Sequence, residues 1–413
     1  MSNKFPISFW NYNRINEYDP AKEVAMWNDC GITVGMVPRI RFATATEEQK
    51  NLVEQYLDEA LKYDMKMIVW VEDIELYDYS FNENAFRELF TNVYNRFKHP
   101  ALYGFFVGDE PSNKQHLAAC RAVLKISKEI APELKPYINF GCGMADRPNE
   151  LYGGMNFVEW TKDLAEDTGF DYFCYGHYDQ MVDDNGVESY FKNLRILSHA
   201  AENAGIGFWN TQLSSAHYMF RVPSFYDLMW QITTAVACGS KGICWFRLSD
   251  RWHSPTNYHS SPIDEYGNQT ETYNRFLRAN RLFQDEYGQY FMNLKHKSTY
   301  FTDKAWGGYT TLPFGEHPII KTVRATENGM VAFFEDDEGN EYLVLVNASF
   351  TKPGVFRPEF DRDQYKLIWL RKNGNDIQVI QHNEEYRDGK TEAHWDGVWL
   401  YPGQLNIFRI EKR

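Results

Sequence analysis

Eight strand-like apolar runs alternate with helix-like stretches over roughly the first 250 residues. This alternation constrains the fold more than any other feature of the chain. The runs are ISFWNY (7–12), ITVGMVP (32–38), KMIVWVE (66–72), ALYGFFVGDE (101–110), PYINFGCG (136–143), FDYFCYGHY (170–178), GIGFWNTQ (205–212) and KGICWFRL (241–248). Between them, Glu47–Lys62 sets Leu52, Val53, Tyr56, Leu57, Ala60 and Leu61 on one stripe at helical spacing. His116–Ile130 does the same with Leu117, Val123, Leu124 and Ile130. Asp19-Pro20 before AKEVAMW is a helix start. Eight βα units in succession predict a (β/α)8 barrel. An open doubly wound sheet is the alternative, but no GxGxxG follows the first run.

After the eighth run comes a polar, aromatic-rich loop, Ser249–Gln269, and then an amphipathic stretch, Thr270–Lys295, expected to close the barrel as one long helix. The pattern then changes. VAFFED (331–336), EYLVLVNAS (341–349), KLIWLRK (366–372) and QLNIFRI (404–410) are short runs separated by turn signals such as Asp337-Glu338-Gly339-Asn340. They predict a small antiparallel β-sandwich. The expected division is a barrel over 1–296 and a sandwich over 297–413. The length of 413 residues suits a barrel of about 250–300 residues plus a smaller module.

The net charge of −14 argues against nucleic acid and anionic membranes as partners. Six cysteines, Cys30, Cys120, Cys142, Cys174, Cys238 and Cys244, form no CxxC pair and read as reduced structural thiols. The N-terminus has no basic-then-apolar signal pattern and no apolar run approaches 18 residues, so the expectation is a cytoplasmic protein. No P-loop, GxSxG elbow or kinase motif occurs.

In a (β/α)8 barrel the chemistry sits at the C-terminal strand tips. The tips offer Trp10, Asn11 and Arg14; Arg39 and Arg41; Trp70, Glu72 and Asp73; Asp109 and Glu110; and Gly141-Cys142-Gly143. Further round come Tyr175, His177, Tyr178 and Asp179; Trp209, Asn210 and Gln212; and Trp245, Arg247, Asp250, Trp252 and His253. Aromatic planes, amides, arginines and carboxylates on one rim are what a sugar ring needs: stacking for its apolar face and hydrogen bonds for its hydroxyls. From this set the candidate substrate-binding residues are Trp10, Arg39, Glu72, Tyr175, His177, Trp209, Asn210, Trp245 and Arg247. His177 with Asp179, or His253 with His259, could be read as metal ligands. No HExxH or HxH occurs, and neither metal nor cofactor is expected.

The fourth run ends in two adjacent carboxylates, Asp109 and Glu110, followed by Pro111. Proline biases Glu110 toward extended geometry and ends the strand there. Glycoside hydrolysis usually takes two carboxylates, about 5 Å apart for retention and about 6.5–9.5 Å apart for inversion. The seventh run, however, reads GFWNTQ, with Asn210 or Gln212 where a second Glu would stand. In substrate-assisted hydrolysis the nucleophile is the sugar's own 2-acetamido carbonyl. One carboxylate orients the acetamide N–H while its neighbour serves as acid and then base. That reading accounts for the adjacent pair and the missing Glu together. It also requires the strand end to leave its pleat, because successive residues on a strand point to opposite faces. A capping role for Asp109 at the helix beginning around Ser112-Asn113 is the structural alternative.

On these residues the chain resembles the β-N-acetylhexosaminidases that use an Asp-Glu pair. It resembles glycoside hydrolase family 123, the β-N-acetylgalactosaminidases, more than family 20. The resemblance is specific at Gly108-Asp109-Glu110-Pro111 and general over residues 1–296. It implies Asp109 as the acetamido-orienting residue, Glu110 as general acid/base, Tyr175 as hydrogen-bond donor to the acetamido carbonyl, and Trp209 and Trp245 as walls of the pocket. Family 123 carries a β-domain ahead of its barrel that these residues do not show, so the expectation is a related, separate family. Ser261–Asn280 also resembles the segment after the eighth strand in gut-bacterial barrel glycosidases, some of them β-galactosidases. Asp264 and Glu265 there are read as part of a turn around Gly267 before a helix start at Thr270. The expected function is a retaining exo-β-N-acetylhexosaminidase acting on a terminal N-acetylhexosamine, GalNAc before GlcNAc. The alternatives are a two-carboxylate β-glycosidase such as a β-galactosidase, its second acid being Glu72, Asp179 or Asp250, and a non-catalytic carbohydrate-binding barrel.

Overall fold

The computed structural model describes residues 4–76, 82–250, 256–371, 377–381, 394–395 and 397–413. Eight parallel strands form a nearly closed barrel with helices between them. The first three units are β1 (Ile7–Phe9), α1 (Pro20–Asp29), β2 (Val34–Ile40), α2 (Glu47–Lys62), β3 (Lys66–Val71) and α3 (Glu83–Phe97). There follow β4 (Leu102–Asp109), α4 (Lys114–Ile130), β5 (Tyr137–Phe140), α5 (Phe157–Thr168), β6 (Tyr172–Gly176), α6 (Asp184–Ala204), β7 (Gly207–Leu213), α7 (Phe225–Ala237), β8 (Gly242–Phe246) and α8 (Glu271–Phe283). Strand pairing runs β1-β8-β7-β6-β5-β4-β3-β2, all parallel.

The seam between β1 and β2 is held mainly by side chains. Thr33 Oγ1 accepts from Ile7 N at 2.8 Å and donates to Phe5 O at 2.8 Å, and Asn11 donates to Met36 O at 2.9 Å. All eight strands fall where the apolar runs predict them. α2 matches its predicted span because its cap is explicit: Thr46 and Gln49 form a capping box. Asp19 caps α1 ahead of Pro20.

The stretch expected to form one helix over Thr270–Lys295 departs from that reading. α8 gives way to a π turn over Gln284–Gly288, a short helix follows over Gln289–Asn293, and Lys295 already opens a strand. Gly288 passes Phe5 there so closely that a Cβ would sit 3.2 Å from that residue's own. A widened turn is where such a helix absorbs a misfit.

Beyond it, strands Lys295–Phe301, Gly329–Glu335, Glu341–Asn347, Leu405–Lys412, Tyr365–Trp369, Ile377–Gln381 and His394–Trp395 make one sheet. Thr322–Ala325, Gly354–Glu359 and Val398–Leu400 make a second. Their apolar faces meet around Val331, Leu343, Phe356 and Phe408. The first sheet also seats α7: Trp230 stacks on Phe350 at 4.4 Å and donates to Ala348 O at 2.8 Å. Among the described residues no helix is long and apolar enough to cross a membrane. All six cysteines are free, with Cys142 exposed and the other five buried.

Candidate active site

The pleat decides which strand residues reach the barrel interior. Trp10, Met36, Ile68, Trp70, Phe106, Tyr137, Cys174, Trp209 and Cys244 face inward as one cluster. On β4, simple alternation from Phe106 would turn Asp109 outward. A bulge prevents this. Phe106 pairs with Tyr137, but Gly108 pairs with Ile138 and Asp109 with Asn139, so two β4 residues oppose one step of β5. The extra residue inverts the phase and brings Asp109 into register with inward-facing Asn139, an established use of bulges beside active sites. The next residue, Glu110, has φ +48°, outside the extended range that Pro111 favours. Its N–H still donates to Asn139 O at 2.7 Å, and its exposed carboxyl lies over Gly141 at the end of β5. Bulge and left-handed residue together set the direction of both acids at the C-terminal end of β4. Non-glycine residues in this region cost about 1–3 kcal/mol and cluster at functional sites.

Asp109 sits in a polar relay. Thr211 Oγ1 on β7 donates to Asn139 Oδ1 at 3.1 Å, and Asn139 Nδ2 donates to Asp109 Oδ1 at 2.9 Å. Burial pushes the Asp109 carboxyl up to about 6, against the lowering effect of the Asn139 hydrogen bond. The capping alternative is not what is seen: Asn113, not Asp109, caps α4 by accepting from His116 N.

Aromatic rings line the mouth around these acids. Tyr12 stacks on Trp10 at 5.8 Å, Trp70 lies 4.7 Å from Phe106, and Tyr178 stacks on Phe246 at 5.7 Å. Arg247, 1% exposed, lays its guanidinium 4.1 Å from the Tyr258 ring and 3.8 Å from Asp250. Asp250 also accepts from Ser261 Oγ at 2.5 Å. On the β2–β3 side Glu72 bridges Arg39 at 3.3 Å and Arg41 at 2.9 Å. These three residues, with Tyr12, Arg14 and Asp250, border a cavity of about 680 Å³.

The sequence-chosen residues therefore separate. Arg39 and Glu72 border the cavity, Trp10 and Arg247 lie against its lining residues Tyr12 and Asp250, and Asp109 and Glu110 stand at the C-terminal end of β4. The structure does not bring Trp209, Trp245, Tyr175 or Asn210 there. Trp209 faces inward but near the start of β7, and it borders a cavity of about 850 Å³ among Lys66, Tyr103 and Lys241 at the opposite end of the barrel. Trp245 faces α8, donating to Asn280 Oδ1 at 2.9 Å and packing on Phe276. Tyr175 is wholly buried behind β6 against Phe208. Asn210 alternates outward, accepting from Gln212, which itself binds Gln231 O on α7. The physical reason is parity: with Trp209 and Thr211 inside, their neighbours must face the helices. His177 is buried with its ring near Tyr190 of α6 and its Nε2 3.5 Å from Asp179. Burial lowers its pKa.

Trp252 and His253 lie outside the described residues. Among the described residues no group of three or more His, Cys, Asp or Glu could hold a metal ion. Asp264 accepts from the backbone of Tyr266 and Asn268, and Thr270 caps α8, so that segment is a turn and a helix start. Site residues that sequence reasoning missed are Asn139, Thr211, Tyr12 and Glu75. Glu75 accepts from Trp70 Nε1 at 2.6 Å, and burial pushes its carboxyl up to about 7.

No family model matches the chain. No curated protein matches it either. Solved structures do match its fold. A catalytic mutant of a GH42 β-galactosidase from G. stearothermophilus aligns over 100% of this chain and 99% of its own, with TM-score 0.67 and 8% identity. A cold-adapted β-galactosidase from Rahnella sp. R3 covers 72% of this chain with TM-score 0.55 and 10% identity. One from the psychrophilic Marinomonas ef1 covers 67% with TM-score 0.51 and 10% identity. The chain spans 58% and 59% of the length of these last two. At such identities the likeness defines the barrel architecture.

Proposed function

We propose that the protein is a glycoside hydrolase working at the C-terminal mouth of the barrel: a retaining exo-β-N-acetylhexosaminidase, with terminal β-linked GalNAc favoured. The observation that carries the reading is the bulge at Gly108 followed by φ +48° at Glu110, a backbone path that in this reading turns two consecutive acids toward one mouth. In this reading Glu110 protonates the glycosidic oxygen as its bond to C1 breaks. The acetamido carbonyl oxygen bonds C1 from the other face, giving an oxazolinium. Asp109, oriented by Asn139, accepts the acetamide N–H and stabilises the positive charge. The Glu110 carboxylate then takes a proton from the water that attacks C1, and the ring opens with retention. The aromatic wall of Tyr12, Trp70, Tyr178 and Phe246 suits the apolar face of a sugar. No metal or cofactor enters the scheme.

A second reading, a two-carboxylate β-glycosidase acting on galactose or glucose, is favoured by the names of the structural neighbours. Of the acids expected for it, Glu72 is held by Arg39 and Arg41, and Asp250 by Ser261. The deciding experiment is release of p-nitrophenol from the β-glycosides of GalNAc, GlcNAc, Gal and Glc, with a thiazoline mimic of the oxazolinium as inhibitor. Turnover of an N-acetyl sugar, blocked by the thiazoline, is expected. Turnover of Gal or Glc alone, insensitive to it, would replace the first reading with the second.

A further inference from the structure

We infer that Glu75 is a positioning residue of this site, anchored by Trp70 and coupled to Asp109 as one two-carboxylate unit. The inference rests on reading Asp109 and Glu110 as the catalytic pair.

The geometry is built from both sides. β3 ends at Val71, a short turn follows over Glu72–Ile74, and Glu75 comes next. The chain is tied to β4 immediately afterwards: Leu76 N donates to Val107 O at 3.0 Å. The Leu76 side chain fills the space a Cβ on Gly108 would occupy, 2.3 Å from its Cδ2. Gly108 is the residue before Asp109 and lies in the bulge that turns Asp109 inward. The glycine that permits the bulge therefore also admits the loop carrying Glu75. Trp70, an inward residue of β3, donates its indole N–H to Glu75 Oε1 at 2.6 Å. Its ring packs on Trp10, Tyr12 and Phe106. Glu75 thus fixes one aromatic wall while its own carboxyl lies within reach of the Asp109 charge.

The charged groups acting on Glu75 are Glu72 on its own turn, Arg39 from β2 and Asp109 from β4. Asp109 in turn feels Glu110 and the Asn139 amide. Arg39 already pairs with Glu72. Burial is the chief cause that raises both carboxyls, and the neighbouring Asp109 charge adds to it at Glu75. Glu75 and Asp109 each lie one residue from the contact between Leu76 and Gly108, and carboxyls brought together in this way titrate as a pair. A proton on Glu75 leaves the charge on Asp109, the state needed by a residue that must accept an acetamide N–H.

The test has two arms. In protein labelled with ¹³C at glutamate side-chain carboxyls, the Glu75 resonance is assigned by its loss in Glu75→Gln and titrated in wild type and Asp109→Asn. A midpoint near neutrality that falls in Asp109→Asn is expected. A midpoint in the ordinary glutamate range, or one unmoved by Asp109→Asn, overturns the coupling, whatever substrate the enzyme takes. In the second arm kcat and KM are compared. Glu75→Gln keeps an acceptor for Trp70 and stays neutral, so it is expected within a few-fold of wild type near pH 6. Glu75→Ala is expected to lose at least tenfold in kcat/KM. Equal activity of Glu75→Ala and wild type overturns the positioning role. A wild type that cleaves no glycoside refutes the functional reading and leaves the titration to decide the coupling.

Discussion

Asn139 donates its side-chain N–H to Oδ1 of Asp109 at 2.9 Å, so the last pair of the β4–β5 ladder is also joined by its side chains. The amide cannot be reversed without cost, because its oxygen accepts from Thr211 on β7. The relay therefore presents an N–H, not a carbonyl, to the carboxylate. A hydrogen bond of this kind favours the charged form and is worth about 1.5–3 kcal/mol.

That relay sets a first prediction. Asn139→Ala removes the lowering influence on Asp109 and leaves the burial that raises it. Asp109 then becomes harder to ionise. The acidic limb of the kcat/KM profile should move upward by about one pH unit. A limb at the wild-type position would separate Asp109 from the reaction.

A second prediction concerns stability. The Asp109 carboxyl is raised from 3.8 to about 6, so the folded protein holds this proton more tightly than the unfolded chain does. Its contribution is fully present below pH 3.8, is lost as pH climbs through 6, and stays lost above that. A rise of that size corresponds to about 3 kcal/mol at pH 8. Asp109→Asn keeps an acceptor for Asn139 and removes the charge. It should melt a few degrees above wild type at pH 8, with the gap closing toward pH 4. Activity on an N-acetyl substrate should be lost in the same variant, the usual trade at a site built for chemistry. Equal melting temperatures at pH 8 would show that the charge costs the fold nothing.

Glu110 provides the third. The residue is exposed and its backbone is left-handed, so on the proposed reading its side chain serves chemistry rather than packing. Glu110→Gln should lower kcat by about 10²–10⁴-fold with an unchanged melting curve. Glu110→Gly should be equally inactive but more stable by about 1 kcal/mol, because glycine meets no Cβ penalty at φ +48°. Retention of near-wild-type turnover by Glu110→Gln would remove it from the acid/base role.

The barrel was legible because its signal is repeated eight times: each run of apolar residues is long enough to be a strand and each spacer long enough to be a helix. The acid pair was legible because two carboxylates against a proline end one of those runs abruptly. What the runs do not disclose is phase. Trp209 and Trp245 look alike as strand aromatics, yet one faces the interior at the far end of the barrel and the other faces α8. The bulge at Gly108 is a mismatch between two strands, which a glycine near the end of one run hints at but cannot locate. Glu75 follows its strand by four residues, where a loop acid looks like any other. What marks it is Trp70 beside it in space. The Glu72-Asp73-Ile74-Glu75 run held the hint, since an acid cluster next to an inward tryptophan needs a partner for the indole N–H.

Gly108 links these features and carries the last prediction. Gly108→Ala places a methyl 2.3 Å from Leu76 Cδ2 and 2.8 Å from its Cγ, in a region where Leu76 is fully buried. Overpacking of this kind costs about 1–3 kcal/mol. Relief requires Leu76 to retreat. Its backbone is tied to Val107, so the retreat drags Glu75 and disturbs the bulge that aims Asp109. Gly108→Ala should therefore lose at least tenfold in kcat/KM as well as stability. Leu76→Ala alone leaves a cavity and should cost about 2–5 kcal/mol. The double variant fills that cavity with the new methyl, so its stability loss should be smaller than the sum of the two singles by about 1 kcal/mol or more. Additive losses in the double-mutant cycle, measured by denaturant unfolding, would show that Gly108 and Leu76 do not share this space and that the loop is positioned by other contacts.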